Sequence, residues 1–314
     1  MKILFIDHEC HKKTRSSRFF LDILRSDHEV TEFYYKKAYE VSPGRALVDW
    51  ADVVVFWEFL PHRFNIAYPS KRCVYVPMYD NEWQSKWIWR RIGYSGMSVI
   101  SFCGEVSRHA RMCGVKNILD VKYALKPEDF SSAKTGRKVL YWDRGEFSES
   151  SVRSIFADGA VDEIKIQRGF LPREEYEKMR REYSVYVQPR SKEGIGMAFL
   201  EQIAMGNCVI ANAAPTMSEY IADGVNGILR DFSRQGLSPV TGDEIQKALN
   251  GVKALRRDIY ERWLSDREKI AAFFASSATS IPQVKNVRTL RHLVLFMLTV
   301  CEWCVKFLPR KLFR

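Results

Sequence analysis

Twice along its length the chain repeats one pattern, in which short and almost unbroken apolar runs alternate with stretches of helical periodicity. In the first half the runs are Lys2–Ile6 (KILFI), Val30–Tyr35, Val53–Phe59 (VVVFWEF), Arg72–Tyr79 (RCVYVPMY) and Ser98–Cys103. A strand that is apolar on both sides has to be covered on both sides. Helices in the connections supply that cover and also return the chain so that the strands run parallel. Ser16–Leu24 sets Phe19, Phe20, Ile23 and Leu24 on one face, and Glu105–Met112 forms a second helix that stops at Gly114. The polar, turn-rich KPEDFSSAKTGRK, residues 126–138, then breaks the pattern and reads as a linker. Beyond it the alternation restarts. Strands are predicted at Val139–Trp142, Glu163–Gln167, Ser184–Gln188 and Cys208–Ala211, with helices at Glu149–Ala157, Glu174–Glu182, Ile195–Met205 and from Met217 on. Two Rossmann-like halves joined by a linker imply a cleft, and ligands favour the carboxyl ends of parallel strands. A chain of 314 residues can bury two such cores.

Composition narrows the function classes. The seven cysteines, Cys10, Cys73, Cys103, Cys113, Cys208, Cys301 and Cys304, are odd in number and scattered through apolar runs. That usage suits reduced thiols in a cytosolic compartment better than a disulfide framework. The opening MKILFIDHEC lacks the long apolar stretch of a secretory signal. The formal charge of +11 is unevenly placed: residues 285–314 hold seven Lys and Arg against one Glu, a net +6. A nucleic-acid binder carries its basic footprint on the folded body, so the expectation is no nucleic-acid partner.

Several site motifs are missing. No G-x-G-x-x-G follows the first strand, since residues 7–17 contain no glycine. No Walker A sequence, H-E-x-x-H or nucleophile elbow occurs anywhere. The grouping of His8, Cys10 and His11 reads as loop chemistry, with metal a minor alternative. Lys12, Lys13 and Arg15 in the same loop are open to two readings, anion binding or plain solvation. No metal or cofactor is expected.

The most informative stretch is SKEGIGMAFLEQIAMGNCVIAN, residues 191–212, with Glu193 at a glycine turn and Glu201 after seven intervening residues. A helix starting at Gly194–Gly196 presents unpaired N–H groups and the positive end of its dipole. Glycine there lets a phosphate or sugar approach the backbone. Glu201 lies two turns in, among Phe199, Leu200, Ile203 and Ala204, where an unpartnered carboxylate is costly. A ligand laid along the helix meets both carboxylates, and a nucleotide-sugar has that shape. The plainer alternative is two glutamates favoured by the dipole or by a solvated face.

With its neighbours this region resembles the retaining GT-B glycosyltransferases known as group 1, or family 4. The resemblance rests on four blocks in order: GFLPREE (169–175), YVQPRS (186–191), EGIG (193–196) with LEQIAMGNCVIA (200–211), and SEYIADGVNGIL (218–229). The first half matches only in its α/β alternation. The resemblance implies two Rossmann-like domains facing a cleft, an acceptor domain over 1–130, a donor domain over 131–284, and a basic amphipathic tail over 285–314. It implies that Glu193 contacts the hydroxyls of the transferred sugar, and that the backbone of Gly194, Ile195, Gly196 and Met197 holds sugar and diphosphate. Glu201 would bind the ribose diol, and the main chain near Phe170 and Leu171 the base. Arg144 falls where the family carries a phosphate-binding arginine. Asp80 stands near where the family places a histidine close to the reacting carbon, and is expected to contact sugar or acceptor. The family also has a lysine after its arginine, whereas Glu146–Ser150 offers none.

The expected partners are a nucleotide-diphosphate sugar donor, a glycan or glycolipid acceptor in polysaccharide biosynthesis, and an anionic membrane surface. The last rests on the tail, RTLRHLVLFMLTVCEWCVKFLPRKLFR (288–314). Its nine uncharged residues Leu293–Cys301 are too few to span a bilayer, while basic flanks with Trp303, Phe307 and Phe313 suit the surface of one. A helix packed back on the domains is the other reading of this tail. The expected location is cytoplasmic and peripheral, on the inner face of the membrane. Alternatives of other classes are a GT-B-shaped scaffold without turnover, and an epimerase or phosphorylase on the same fold.

Overall fold

A computed structural model describes residues 1–37, 43–60, 71–81, 86–128, 137–234, 236, 238–275, 283 and 297. The chain divides into two compact units, Met1–Val121 with the chain from Arg267 on, and Lys122–Asp266. Of the stretch that reads as a linker, residues 129–136 lie outside the described residues. So does the basic tail apart from Met297.

The first unit holds six strands, β1 (Lys2–His8), β2 (Glu29–Tyr35), β3 (Val53–Trp57), β4 (Arg72–Val76), β5 (Ser98–Ser101) and β6 (Ile118–Asp120). They pair in parallel in the order β2-β1-β3-β4-β5-β6. The connections carry α1 (Glu9–Thr14), α2 (Arg18–Arg25), α3 (Arg45–Trp50), α4 (Lys86–Ser95) and α5 (Gly104–Met112). All five residues of β3 are buried, as an apolar run covered on both faces must be. α2 buries Phe20, Leu21, Ile23 and Leu24, and the Phe20 ring meets Trp57 at 5.3 Å and Phe5 at 6.3 Å. Each such side chain taken from water contributes about 1.5–3 kcal/mol.

The order of strands reverses at β1, so β1 and β3 flank a topological switch point, where parallel sheets open a crevice. Their carboxyl ends carry a clamp. Asp7 is fully buried, and its Oδ1 lies 2.6 Å from His11 Nδ1 while its Oδ2 accepts from Ser17 Oγ at 2.6 Å. The other ring nitrogen of His11, Nε2, lies 3.1 Å from Glu58. Burial alone lowers an imidazole's pKa, but the hydrogen bonds His11 donates to Asp7 and then to Glu58 outweigh it and raise His11 from 6.5 to about 10. A folded pKa above the unfolded one stabilises fully below about pH 6.5, and the gain is lost as pH climbs through 10. His11→Gln should therefore cost about 2 kcal/mol at pH 6, once the solvent still reaching the ring is allowed for. Urea unfolding of both proteins at pH 6 and pH 10 checks this. A difference that fails to shrink at the higher pH would show that His11 is not held as the cation.

The second unit repeats the plan with five parallel strands, β7 (Lys138–Asp143), β8 (Glu163–Arg168), β9 (Val185–Gln188), β10 (Cys208–Asn212) and β11 (Ile228–Arg230). Their order is β11-β10-β9-β7-β8, which places the switch point between β7 and β9. The helices are α6 (Glu149–Arg153), α7 (Arg173–Glu182), α8 (Met197–Ala204) and α9 (Gly242–Ala275), the last shared between the units at Asp266 and Arg267. The helix expected from Met217 is a single 3-10 turn, Met217–Glu219. Val139, Val185, Val187, Cys208 and Ile210 form the core of this sheet, with Ile245, Ala248 and Leu249 of α9 packed on it. Among the described residues no helix is long and apolar enough to cross a membrane.

Candidate functional site

Sequence places Glu193 and the glycines in the loop after β9, and the sheet order brings that loop beside the loop after β7. Gly196 has φ 77° and ψ 52° and stands at the start of α8, a left-handed position that glycine adopts without strain. A Cβ on it would press to 3.3 Å from Glu193 Cγ. No side chain caps α8, so its first N–H groups stay available at the mouth. The loop is tied from beneath by Thr216, whose hydroxyl donates to the Glu193 carbonyl at 2.8 Å, with that of Gly194 at 3.2 Å. At its other end the Ala204 carbonyl accepts from Arg256 Nη1 of α9 at 3.2 Å.

The Glu193 carboxylate accepts from Gln188 Nε2 at 2.9 Å and lies 3.5 Å from Arg190 Nε. Arg190 also reaches Glu146 in the β7 loop at 3.2 Å, and Glu146 accepts from the Ser191 backbone N–H at 3.1 Å. The two loops at the switch point are thereby joined by charge. Between them, on β9, stands Tyr186, which is almost wholly buried. Burial first, then the Glu193 carboxylate, holds its phenol protonated well above the ordinary range, and the charges of Arg144, Glu201 and Arg190 act on it too. One tyrosine hydroxyl thus senses Glu193, Arg144 and Glu201 together.

Glu201 is half-buried and paired. Its Oε1 accepts from Arg173 Nη1 of α7 at 3.2 Å. Next to it, burial and the Glu201 carboxylate raise the Tyr176 phenol far above its usual value. The Tyr176 ring lies 5.7 Å from Trp142, which meets Phe170 edge-on at 5.4 Å. The Arg144 guanidinium lies over both indole and phenyl, at 5.1 and 5.7 Å. Trp142, Arg144 and Phe170 line a cleft of about 400 Å³ with Asp143, Gly145, Arg168 and Gly169, and Phe170 is 73 % exposed on its edge. A large exposed ring against a guanidinium is a platform for a flat ligand. Asp143 is held as the anion below its usual range by the Gly145 N–H and then by Arg168.

The structure accordingly gathers Glu193, Gly194, Ile195, Gly196, Met197, Glu201, Arg144, Phe170 and Leu171 into the second unit, around β7, β9 and α8. Asp80 belongs to the first unit, exposed in the turn after β4. Sequence reasoning passed over Trp142, Glu146, Arg173, Tyr176, Tyr186, Arg190 and Thr216. Only Tyr186 carried a signal, as a polar-tipped residue inside an otherwise apolar strand. Among the described residues no group of three or more His, Cys, Asp or Glu is arranged to hold a metal ion.

Residues 163–239 match the family model "Glycosyl transferases group 1". Among curated proteins the sequence has no significant match. Solved structures share the fold at low identity. Anabaena Alr3699/HepE, crystallised with UDP and glucose, is 12 % identical over 88 % of this chain and 100 % of its own, with TM-score 0.56. The lipopolysaccharide outer core galactosyltransferase WaaB is 13 % identical over 87 % and 99 %, with TM-score 0.59. Sucrose-phosphate synthase from Thermosynechococcus elongatus is 10 % identical over 96 % and 100 %, with TM-score 0.55. Residues 163–239 of the second unit therefore resemble the group 1 glycosyltransferases, and the two Rossmann-like units share the GT-B fold of these solved structures.

Proposed function

We propose that the chain takes a sugar from a nucleotide-diphosphate donor and transfers it to a hydroxyl acceptor with retention of configuration. The observation that carries this reading is the joint placement of Glu193, Arg190 and the Gly194–Met197 turn at the switch point, inside the segment that matches group 1. Glu193 accepts hydrogen bonds from the sugar hydroxyls while the N–H groups opening α8 receive the diphosphate. Arg144 neutralises charge that develops on the leaving diphosphate, the largest electrostatic demand of the step. Glu201 takes the ribose diol. A carboxylate offers about four acceptor sites, so Arg173 does not exhaust it. The base lies near the Phe170–Leu171 main chain, with the Trp142 and Phe170 rings beside it.

In this reading no enzymic nucleophile is needed. The departing diphosphate takes the proton of the incoming hydroxyl, and the protein contributes alignment and charge stabilisation without metal or cofactor. Asp80 contributes a sugar or acceptor contact from the first unit. The acceptor is a lipid-linked glycan or surface polysaccharide precursor, and the basic tail holds the chain peripherally at the inner, anionic face of the membrane. HepE was crystallised with UDP-glucose, so a uridine donor is the first to test. A second reading, nucleotide binding without turnover, draws on one observation: Glu146 sets a carboxylate in the β7 loop, close to Arg190.

The test is a thermal-shift panel of UDP, GDP, ADP and CMP with their sugars, on the intact protein and on Glu201→Ala. A nucleotide at 100 times its dissociation constant should stabilise the chain by about 2.7 kcal/mol, and Glu201→Ala should remove most of that shift. If no nucleotide moves the transition of the intact protein, the donor site as described is wrong.

A further inference from the structure

The loops after β7 and β9 set one guanidinium between two carboxylates, and the arrangement is unequal. Arg190 Nε lies 3.2 Å from Glu146 Oε1 and 3.5 Å from Glu193 Oε2. This nitrogen is screened from solvent, yet neither contact is a well-directed hydrogen bond. A buried N–H in that condition keeps most of its desolvation cost, and a small rotation toward either carboxylate lowers it. The guanidinium is held between two acceptors without being consumed by one.

Both acceptors are anchored elsewhere. Glu146 turns Oε2 to Ser191 and takes its backbone N–H at 3.1 Å and its hydroxyl at 3.2 Å. Glu193 receives Gln188 Nε2 at 2.9 Å, on the same Oε2 that faces Arg190. Gln188 is itself buried at the end of β9, two residues before Arg190. Gln188 and Arg190 therefore grip one oxygen of Glu193, with Glu146 behind the guanidinium.

This grip answers a local need. Glu193 is followed by Gly194 and Gly196, which bring no side chains against its carboxylate, and its Cγ lies over Gly196, where a Cβ would come within 3.3 Å. The turn that opens the mouth to a ligand thus removes packing from a side chain with several rotatable bonds. Thr216 fixes the backbone of Glu193, whereas Gln188 and Arg190 act on the carboxylate itself.

We propose that Arg190 is the positioning residue of Glu193. With Gln188 it fixes Oε2, and so the direction in which the carboxylate meets the transferred sugar, while Glu146 keeps the guanidinium from following the donor's diphosphate. The inference rests on the donor reading above, in which Glu193 contacts the sugar hydroxyls. A carboxylate set in advance loses no freedom when the donor arrives, and a misplacement of about 1 Å can lower a rate by about 100-fold.

The probe is UDP-glucose with the full chain, its consumption followed at saturation beside calorimetric titration of UDP. Arg190→Gln should lower kcat about tenfold or more and leave UDP affinity unchanged. Arg190→Lys, which keeps a cation of similar reach, should recover most of the loss. In a Glu193→Gln background, Arg190→Gln should remove less than about twofold further, because the carboxylate it positions is already gone. A purely structural role would add the same loss in both backgrounds. Parent-like turnover in Arg190→Gln, an equal loss in both backgrounds, or weakened UDP binding would each overturn the proposal, the last by placing Arg190 on the diphosphate. If the parent neither binds UDP nor consumes UDP-glucose, the donor reading falls and this inference with it. A parent that binds UDP without turnover also overturns it and upholds the second reading above.

Discussion

Glu193→Gln is expected to lower sugar transfer by about 100-fold or more while leaving nucleotide affinity almost untouched. Glutamine has the same shape, so the loop held by Thr216 and the bond from Gln188 can both persist. What disappears is the negative charge, and with it, on the function proposed above, the strong acceptor for sugar hydroxyls near a centre that gains positive character as the donor bond breaks. An interaction that strengthens only as charge develops is lost from kcat, and binding of the bare nucleotide hardly registers it. Initial rates of donor consumption, measured beside UDP binding on the same preparations, separate the two. A variant that binds and turns over like the parent would remove Glu193 from the reaction. One that loses both together would mark it as a determinant of loop structure.

The second large effect concerns the fold. Gly251→Ala, in the interior of α9, should destabilise the protein by about 3 kcal/mol or more, although alanine is ordinarily the better helix residue by close to 1 kcal/mol. A Cβ at 251 would stand 2.0 Å from the Val225 carbonyl oxygen and 2.8 Å from its carbon. Both are backbone atoms, in the turn between Ala222 and Gly227, and cannot step aside as a flexible side chain can. Denaturant unfolding against Gly44→Ala, where nothing lies within 4 Å, measures the cost. Stability equal to the parent would mean that the helix and turn are less closely packed than described.

The strands were legible because both faces of each sheet are covered. VVVFW and CVIAN carry enough unbroken apolar length for no other element to suit them. α7 and α8 were legible from periodicity and from the glycine turn before α8. Helices that mix charge and apolar residues around their circumference were not, and α9 is the largest example: its 34 residues bury a stripe but carry charged residues throughout. α1 was hidden for another reason, since its start depends on a histidine cap. In the candidate site the glycine turn and both glutamates could be read from one stretch. Their partners could not, because Arg173 reaches Glu201 across 28 residues and Thr216 reaches Glu193 across 23. The Asp7–His11–Glu58 clamp likewise needs β1 and β3 to lie side by side before its members can be counted as one group.

Thr216 is fully buried and keeps φ 75° and ψ −65°, a conformation that burdens a side-chain-bearing residue with about 1–3 kcal/mol. Glycine would relieve that burden and would also delete the hydroxyl on the Glu193 carbonyl. The backbone strain and the hydroxyl's hydrogen bonds therefore pull the choice of residue at this position in opposite directions. The residue at 216 thus exchanges local backbone ease for a tether that fixes the shape of the glycine turn.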